Sequence, residues 1–152
     1  MIISDSLFSG QRDIQEDESG GLAIELLSEF GFESINLDYY PDEQAAIKSK
    51  IENDISETTG LILLVGGTGV APRDVTTDAV EEIIKKHLPG FGEEFRRRSM
   101  AQVQEKAHLS RAIAGVKDQS LIIALPGSPK AVELGIDIIR KLLPHIMELI
   151  RR

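Results

Sequence analysis

Residues 61–78, LILLVGGTGVAPRDVTTD, constrain the fold more than any other stretch of the chain. Five apolar residues, Leu61 to Val65, read as a buried strand. Gly66, Gly67, Thr68 and Gly69 break it, and a polar loop carries Arg73 and Asp74 into a new helical pattern. In open α/β sheets, ligands sit in the loops at the carboxyl ends of strands. Glycines there let backbone N–H groups approach an anion, and the following helix N-terminus adds favourable partial charge. Asp74 in such a loop repels a bare phosphate. A carboxylate makes sense there if it meets phosphate through Mg²⁺ or orients a donor.

The spacing excludes two phosphate-binding motifs. A Walker A loop requires G-x-x-x-x-G-K-[ST], but Val70, Ala71, Pro72 and Arg73 follow Gly69. The dinucleotide fingerprint G-x-G-x-x-G fails because Gly67-Thr68-Gly69 leads into the same residues. A bare GGTG is equally compatible with a tight turn. The full string GGTG-x-x-x-RDVT is far more specific.

Apolar runs and helical periods alternate along the chain, which predicts an α/β fold with a mostly parallel sheet covered by helices on both faces. Met1 to about Ser4 reads as the first strand, followed by a polar loop from Phe8 to Gly21. Leu22 to Phe30 reads as a short helix stopped by Gly31, Ser34–Tyr40 as a second strand, and Asp42 to about Glu57 as an amphipathic helix. The helix after the glycine loop runs through Val80, Ile83, Ile84 and His87, with Pro89-Gly90 ending it and short helices across 91–107. Ala112–Val116 and Leu121–Leu125 read as strands around a turn at Lys117-Asp118. A last helix runs from Pro129 towards Met147, bent or broken at Pro144. The 152 residues carry no repeat or linker, so residues 1–152 read as one domain.

Composition removes several function classes. The chain has no cysteine, which excludes a disulfide framework, a thiolate metal site and a cysteine nucleophile. No apolar run approaches the ~20 residues of a membrane span, and the first residues do not resemble a signal peptide, so the cytoplasm is expected. A formal charge of −8 disfavours nonspecific nucleic-acid binding and requires any anionic ligand to find a local positive site or a metal. The three histidines, His87, His108 and His145, have no spacing suited to a metal and are assigned to helix faces and surface.

A second strand-to-helix turn repeats the logic of the first. Leu121–Leu125 is followed by Pro126-Gly127-Ser128-Pro129-Lys130, which places Ser128 as an N-cap and Pro129 at the first helical position. The turn is either that cap alone or a second anion site with Lys130 adding charge. Asp42 after Pro41 is open to the same two readings, a helix cap or a functional carboxylate. Asp5 and Ser6 end the first strand, on the same sheet edge as Gly66. Glu93 with Arg96, Arg97 and Arg98 reads as a solvated helical face, and Ser110-Arg111 as a turn before a strand.

Taken together, these strings resemble the molybdenum-cofactor biosynthesis family that contains the molybdopterin adenylyltransferases, the Mog and MoaB types, with similar domains in gephyrin and plant Cnx proteins. The resemblance rests on ISDS at 3–6, DESG at 17–20, YPDE at 40–43, GGTGVAPRDVT at 66–76, PGFGEEFR at 89–96, LSRAIAGV at 109–116 and LPGSPKAV at 125–132. The PGFGEEFR and LSRAIAG strings lie closer to the MoaB branch. Thr77 stands where many members carry proline. The family also has several more residues before the ISDS string, implying an internal start or a trimmed end at Met1.

The resemblance implies a three-layer α/β/α domain, a homotrimer or hexamer, and a molybdate-insertion enzyme as a further partner. It implies that the terminal phosphate of molybdopterin attacks the α-phosphate of ATP, giving adenylylated molybdopterin and pyrophosphate. Asp42 and Asp74 would be the essential carboxylates around Mg²⁺. Gly66, Gly67, Thr68, Gly69, Pro126, Gly127 and Ser128 would hold pterin phosphate and nucleotide, with Asp5, Ser6, Glu93, Ser110 and Arg111 completing the binding set. A non-catalytic pterin carrier or scaffold, and a nucleotide pyrophosphatase related to CinA, are the competing readings.

Overall fold

A computed structural model describes residues 1–57 and 60–152 of the chain. β1 (Ile2–Ile3) leads through α1 (Asp5–Phe8) and a 3-10 turn at Ile14–Glu16 into α2 (Glu18–Glu29). Next come β2 (Tyr39–Tyr40), α3 (Gln44–Ser56), β3 (Leu61–Val65) and α4 (Thr76–Ile83). β4 (Lys86–His87) and α5 (Pro89–Val103) precede a second 3-10 turn at Gln104–Leu109. The hairpin β5 (Ile113–Lys117) and β6 (Ser120–Leu125) is followed by α6 (Pro129–Arg140) and α7 (Leu143–Ile150).

Among the described residues the strands form one sheet in the order β2-β1-β3-β6-β5-β4. β2, β1, β3 and β6 run parallel, and the β5–β4 edge is antiparallel, so the expected mostly parallel sheet is present. The two-residue side-chain period of a strand divides the central residues between two cores. Leu63, Val65, Leu121, Ile123 and Leu125 pack with α2, α5 and α6, while Ile62, Leu64, Ile122 and Ala124 pack with α3 and α4. These two cores make the three layers. No helix among the described residues is long and apolar enough to cross a membrane.

The topology positions the site. The four parallel strands end at one edge of the sheet, so Ser4-Asp5, Pro41-Asp42, Gly66–Gly69 and Pro126–Ser128 emerge together. Between β1 and β3 the chain order reverses, which opens a crevice at the carboxyl ends where ligands bind in such sheets. A cavity of about 340 Å³ runs along β1 and β3, lined by Leu37, Lys50, Leu61 and Leu63 among others, and its lining includes none of these loop residues.

Several elements differ from the sequence reading. Pro89-Gly90 opens α5 rather than ending a helix, because proline is tolerated in a first turn where its missing N–H has no partner to lose. His87 leaves the helix and lies in β4, paired with Gly115. The second strand shrinks to Tyr39–Tyr40, since its only neighbour, β1, is itself two residues long. α1, capped by Ser4, follows the first strand directly, and the polar loop from Phe8 to Gly21 contains the 3-10 turn and the first turn of α2, capped by Asp17. The expected break at Pro144 is present: α6 stops at Arg140, and Pro144 lies in the first turn of α7. Asp42 is not a cap: Glu43 precedes α3, and the Asp42 carboxylate turns to Asp5 instead.

Candidate functional site

The glycine loop turns because its first two residues occupy the left-handed region, with φ of 112° at Gly66 and 64° at Gly67. At Gly66 a side chain would strike Ile3 O, and at Gly67 it would strike Thr76 Oγ1. Gly66 N–H donates to Leu125 O at 2.9 Å, and a β-carbon on Gly127 would lie 3.6 Å from the Gly66 α-carbon. The GGTG loop and the Pro126–Ser128 turn are therefore in contact at their bases. Ser128 caps α6, accepting from Ala131 N–H at 3.2 Å, with Lys130 exposed in the first turn. Ser19, from the DESG string, donates its hydroxyl to Gly127 O at 2.8 Å and fixes the second turn from behind.

Arg111 holds the glycine loop. Its Nε donates to Gly69 O at 2.8 Å and its Nη2 to Asp74 O at 2.5 Å. Two further bonds of 2.9 Å grip the Asp78 carboxylate in the paired geometry that a guanidinium favours. This pairing holds the Asp78 carboxyl below its ordinary value, the hydrogen bond from Arg111 being the main cause. Arg111 N–H also donates to Thr68 O at 2.9 Å. The guanidinium thus acts on the protein's own backbone, stiffening the loop from Thr68 to Asp74.

Three aspartates border the crevice. Asp5 and Asp42 exchange backbone bonds: Asp42 Oδ2 accepts from Asp5 N–H and Asp5 Oδ1 from Asp42 N–H. Arg73 reaches back from the glycine loop to pair with Asp5 Oδ2. Asp74 Oδ2 accepts from Ala71 N–H at 2.8 Å, closing the turn that follows the glycines. Burial pushes the Asp42 carboxyl above its ordinary value, opposed by the hydrogen bond from Asp5 N–H and by Arg73, while the charges of Asp5 and Asp74 add to the rise. A partly dehydrated carboxylate among like charges is a site that favours a cation.

The donor set suits Mg²⁺ in one particular mode. Among the described residues no three His, Cys, Asp or Glu side chains converge into a cage. Mg²⁺ is usually held by one or two carboxylates, waters and substrate phosphates rather than by a protein cage. Asp42 and Asp74 each commit Oδ2 to a backbone N–H, and among the described residues neither Oδ1 has a donor. These two oxygens are the ones that would hold the ion.

The remaining residues singled out from sequence fall as follows. Ser6 lies in α1, with its hydroxyl 3.2 Å from that of Ser4. Ser110 and Arg111 are brought to the crevice by the start of β5. Glu93 lies exposed on α5, in the turn whose Gly92 packs against Ala112 O and Arg96. Arg96 itself points at the Ser110 and Ala112 carbonyls, at 3.4 and 3.5 Å. Arg97 and Arg98 pair with Glu94 and Asp137 on the surface. Sequence reasoning gave no role to Asp17, Ser19, Arg73, Thr76 or Asp78. The DESG string carried a signal for Asp17, an aspartate at a helix N-cap position.

A mostly parallel sheet with two touching strand-to-helix turns and flanking carboxylates at its carboxyl edge defines, as a class, a three-layer α/β domain with one loop-built crevice. The model of the probable molybdopterin binding domain family matches residues 1–145, and the chain belongs to that family. It is similar to "Molybdenum cofactor biosynthesis protein B" of Staphylococcus carnosus, at 40% identity over 144 residues, 91% of this chain and 84% of the relative. Among solved structures, a molybdenum cofactor biosynthesis protein B superposes with a TM-score of 0.90 at 34% identity, covering 99% of this chain and 92% of the other. The Mog protein of Mycobacterium ulcerans gives a TM-score of 0.90 at 30% identity, covering 98% and 95%.

Proposed function

We propose that this protein acts in molybdenum-cofactor biosynthesis, in the cytoplasm, as a molybdopterin adenylyltransferase that uses Mg-ATP. The names of its relatives support the pathway. The observation that carries the reaction is the pair Asp42 and Asp74, each braced by a backbone N–H at Oδ2 and each with no donor to Oδ1 among the described residues, beside the two strand-to-helix turns. A plain binding protein for an anionic pterin has no use for two carboxylates there, whereas a nucleotidyl transfer does.

In this reading an oxygen of the pterin phosphate attacks the α-phosphorus of ATP. The bond from that phosphorus to the bridging oxygen breaks, and pyrophosphate leaves with the electron pair. The nucleophile needs no general base, because the second pKa of a phosphate monoester is about 6. That agrees with a site bordered by the aspartates Asp5, Asp42 and Asp74 and the arginines Arg73 and Arg111. Backbone N–H groups of Gly67 to Gly69 and the α6 N-terminus orient the phosphates in line, and Asp42 and Asp74 are the residues that would hold the ion. When bound, Mg²⁺ neutralises charge that builds on the phosphoryl oxygens. A homotrimer or hexamer, and hand-over to a molybdate-insertion enzyme, belong to the same proposal.

Incubating the protein with molybdopterin and Mg-ATP, and assaying adenylylated pterin with pyrophosphate, tests it. Stoichiometric product that disappears on chelation supports the reading. Tight pterin binding with no pyrophosphate, with or without Mg²⁺, identifies a carrier instead.

A further inference from the structure

Thr76 opens α4, donates its N–H to Gly67 O at 3.0 Å and has a wholly buried side chain. Its Oγ1 is the one buried side-chain polar atom without a hydrogen-bond partner among the described residues. Thr77, the next residue, is also buried, yet it donates its hydroxyl to Arg111 O at 3.0 Å. Folding leaves few buried hydroxyls unpaired, because each loses its water without compensation. An orphan beside a ligand crevice therefore points to a partner gained on binding.

Its surroundings narrow that partner. A β-carbon on Gly67 would collide with Thr76 Oγ1 and come within 3.1 Å of Asp42 Oδ1. The hydroxyl and the carboxylate oxygen thus flank one glycine α-carbon, and only the missing side chain leaves them a line of approach. Oδ2 of the same carboxylate is already occupied by Asp5 N–H, whereas Oδ1 has no donor among the described residues. A carboxylate oxygen has two lone pairs, so Oδ1 can accept a hydroxyl and still face a ligand.

We propose that Thr76 is a positioning residue for Asp42, its hydroxyl donating to Oδ1 across the Gly67 α-carbon when ligand fills the crevice. The inference rests on the transferase reading above and deepens it. Thr76 touches no substrate. It fixes the direction of the carboxylate that does.

The variants Thr76→Val and Thr76→Ser test this. Valine keeps the shape and deletes the hydroxyl, so ligand-free Thr76→Val melts at or above the wild-type temperature. Its single-turnover AMP transfer falls about tenfold, the size of one net hydrogen bond, while pterin affinity is unchanged. Thr76→Ser keeps the rate within about twofold. Thr76→Val transferring at the wild-type rate overturns the inference, as does a serine variant that loses as much as the valine one. Wild-type protein that binds pterin but releases no pyrophosphate refutes the transferase reading instead. The inference is then judged from crystals grown with Mg-ATP. Oγ1 within hydrogen-bonding reach of Asp42 Oδ1 sustains it, and a longer separation overturns it.

Discussion

Asp5 and Asp42 each accept a hydrogen bond from the other's backbone N–H, at 3.0 and 3.1 Å. The exchange ties the loop after β1 to the loop after β2 and lets two carboxylates stand side by side. Each charge is met by an amide dipole, which offsets part of their mutual repulsion.

Asp5→Ala removes the acceptor of Asp42 N–H and should destabilise the fold by about 1–2 kcal/mol. Asp5→Asn retains a side-chain oxygen for the same bond and should lose less than half as much. Urea midpoints of the two variants decide the point, and equal losses would show that charge rather than the bond matters.

Arg111→Lys keeps a positive charge but loses the paired grip on Asp78 and the bonds to Gly69 O and Asp74 O. A lysine offers one ammonium where four acceptors wait, so a loss of about 2 kcal/mol is expected. Hydrogen exchange should quicken first in residues 68–74, ahead of global unfolding. Uniform protection across those amides in the variant would refute the clamp.

Gly67→Ala places a side chain at φ 64° and drives it into Thr76 Oγ1. The left-handed conformation alone costs about 1 kcal/mol, and the collision adds to it. The variant should melt lower than wild type and transfer AMP poorly even below its melting temperature. An alanine variant with wild-type stability would mean that the turn relaxes freely.

Tyr39 donates its hydroxyl to Asp17 Oδ2 at 3.1 Å. Burial, reinforced by that bond, pushes its hydroxyl up from 10 to about 12. A raised folded-state value means that the contribution to stability is complete below the unfolded value and is lost as pH climbs from 10 towards 12. Tyr39→Phe should lack this alkaline decline. Guanidinium unfolding of both proteins across that window measures it, and parallel curves would exclude Tyr39 as the cause.

The strands β3 and β6 and the helix α6 were legible because uninterrupted apolar runs end in glycine or proline turns. The glycine loop was legible for the same reason. β4 was not, since Lys86-His87 has no apolar alternation and becomes a strand only by pairing with β5. Pro89-Gly90 misled because the pair marks both the stop of one helix and the start of another. The role of Arg111 as a brace on Gly69 and Asp74 was out of reach, as it depends on a contact across some forty positions of chain. The orphaned hydroxyl of Thr76 was equally invisible, because a missing partner has no signature in sequence.

The ladder between β3 and β6 runs in register to the last residue of both strands, and Gly66 N–H adds one rung beyond it. The two turns consequently leave the sheet one strand spacing apart, about 4.8 Å. That interval is a constant of peptide geometry and not of either loop's sequence. A molecule that bridges both turns is gauged by the backbone repeat itself. Substitutions in the loops can alter how firmly it is gripped, but its span stays fixed unless the sheet is rebuilt.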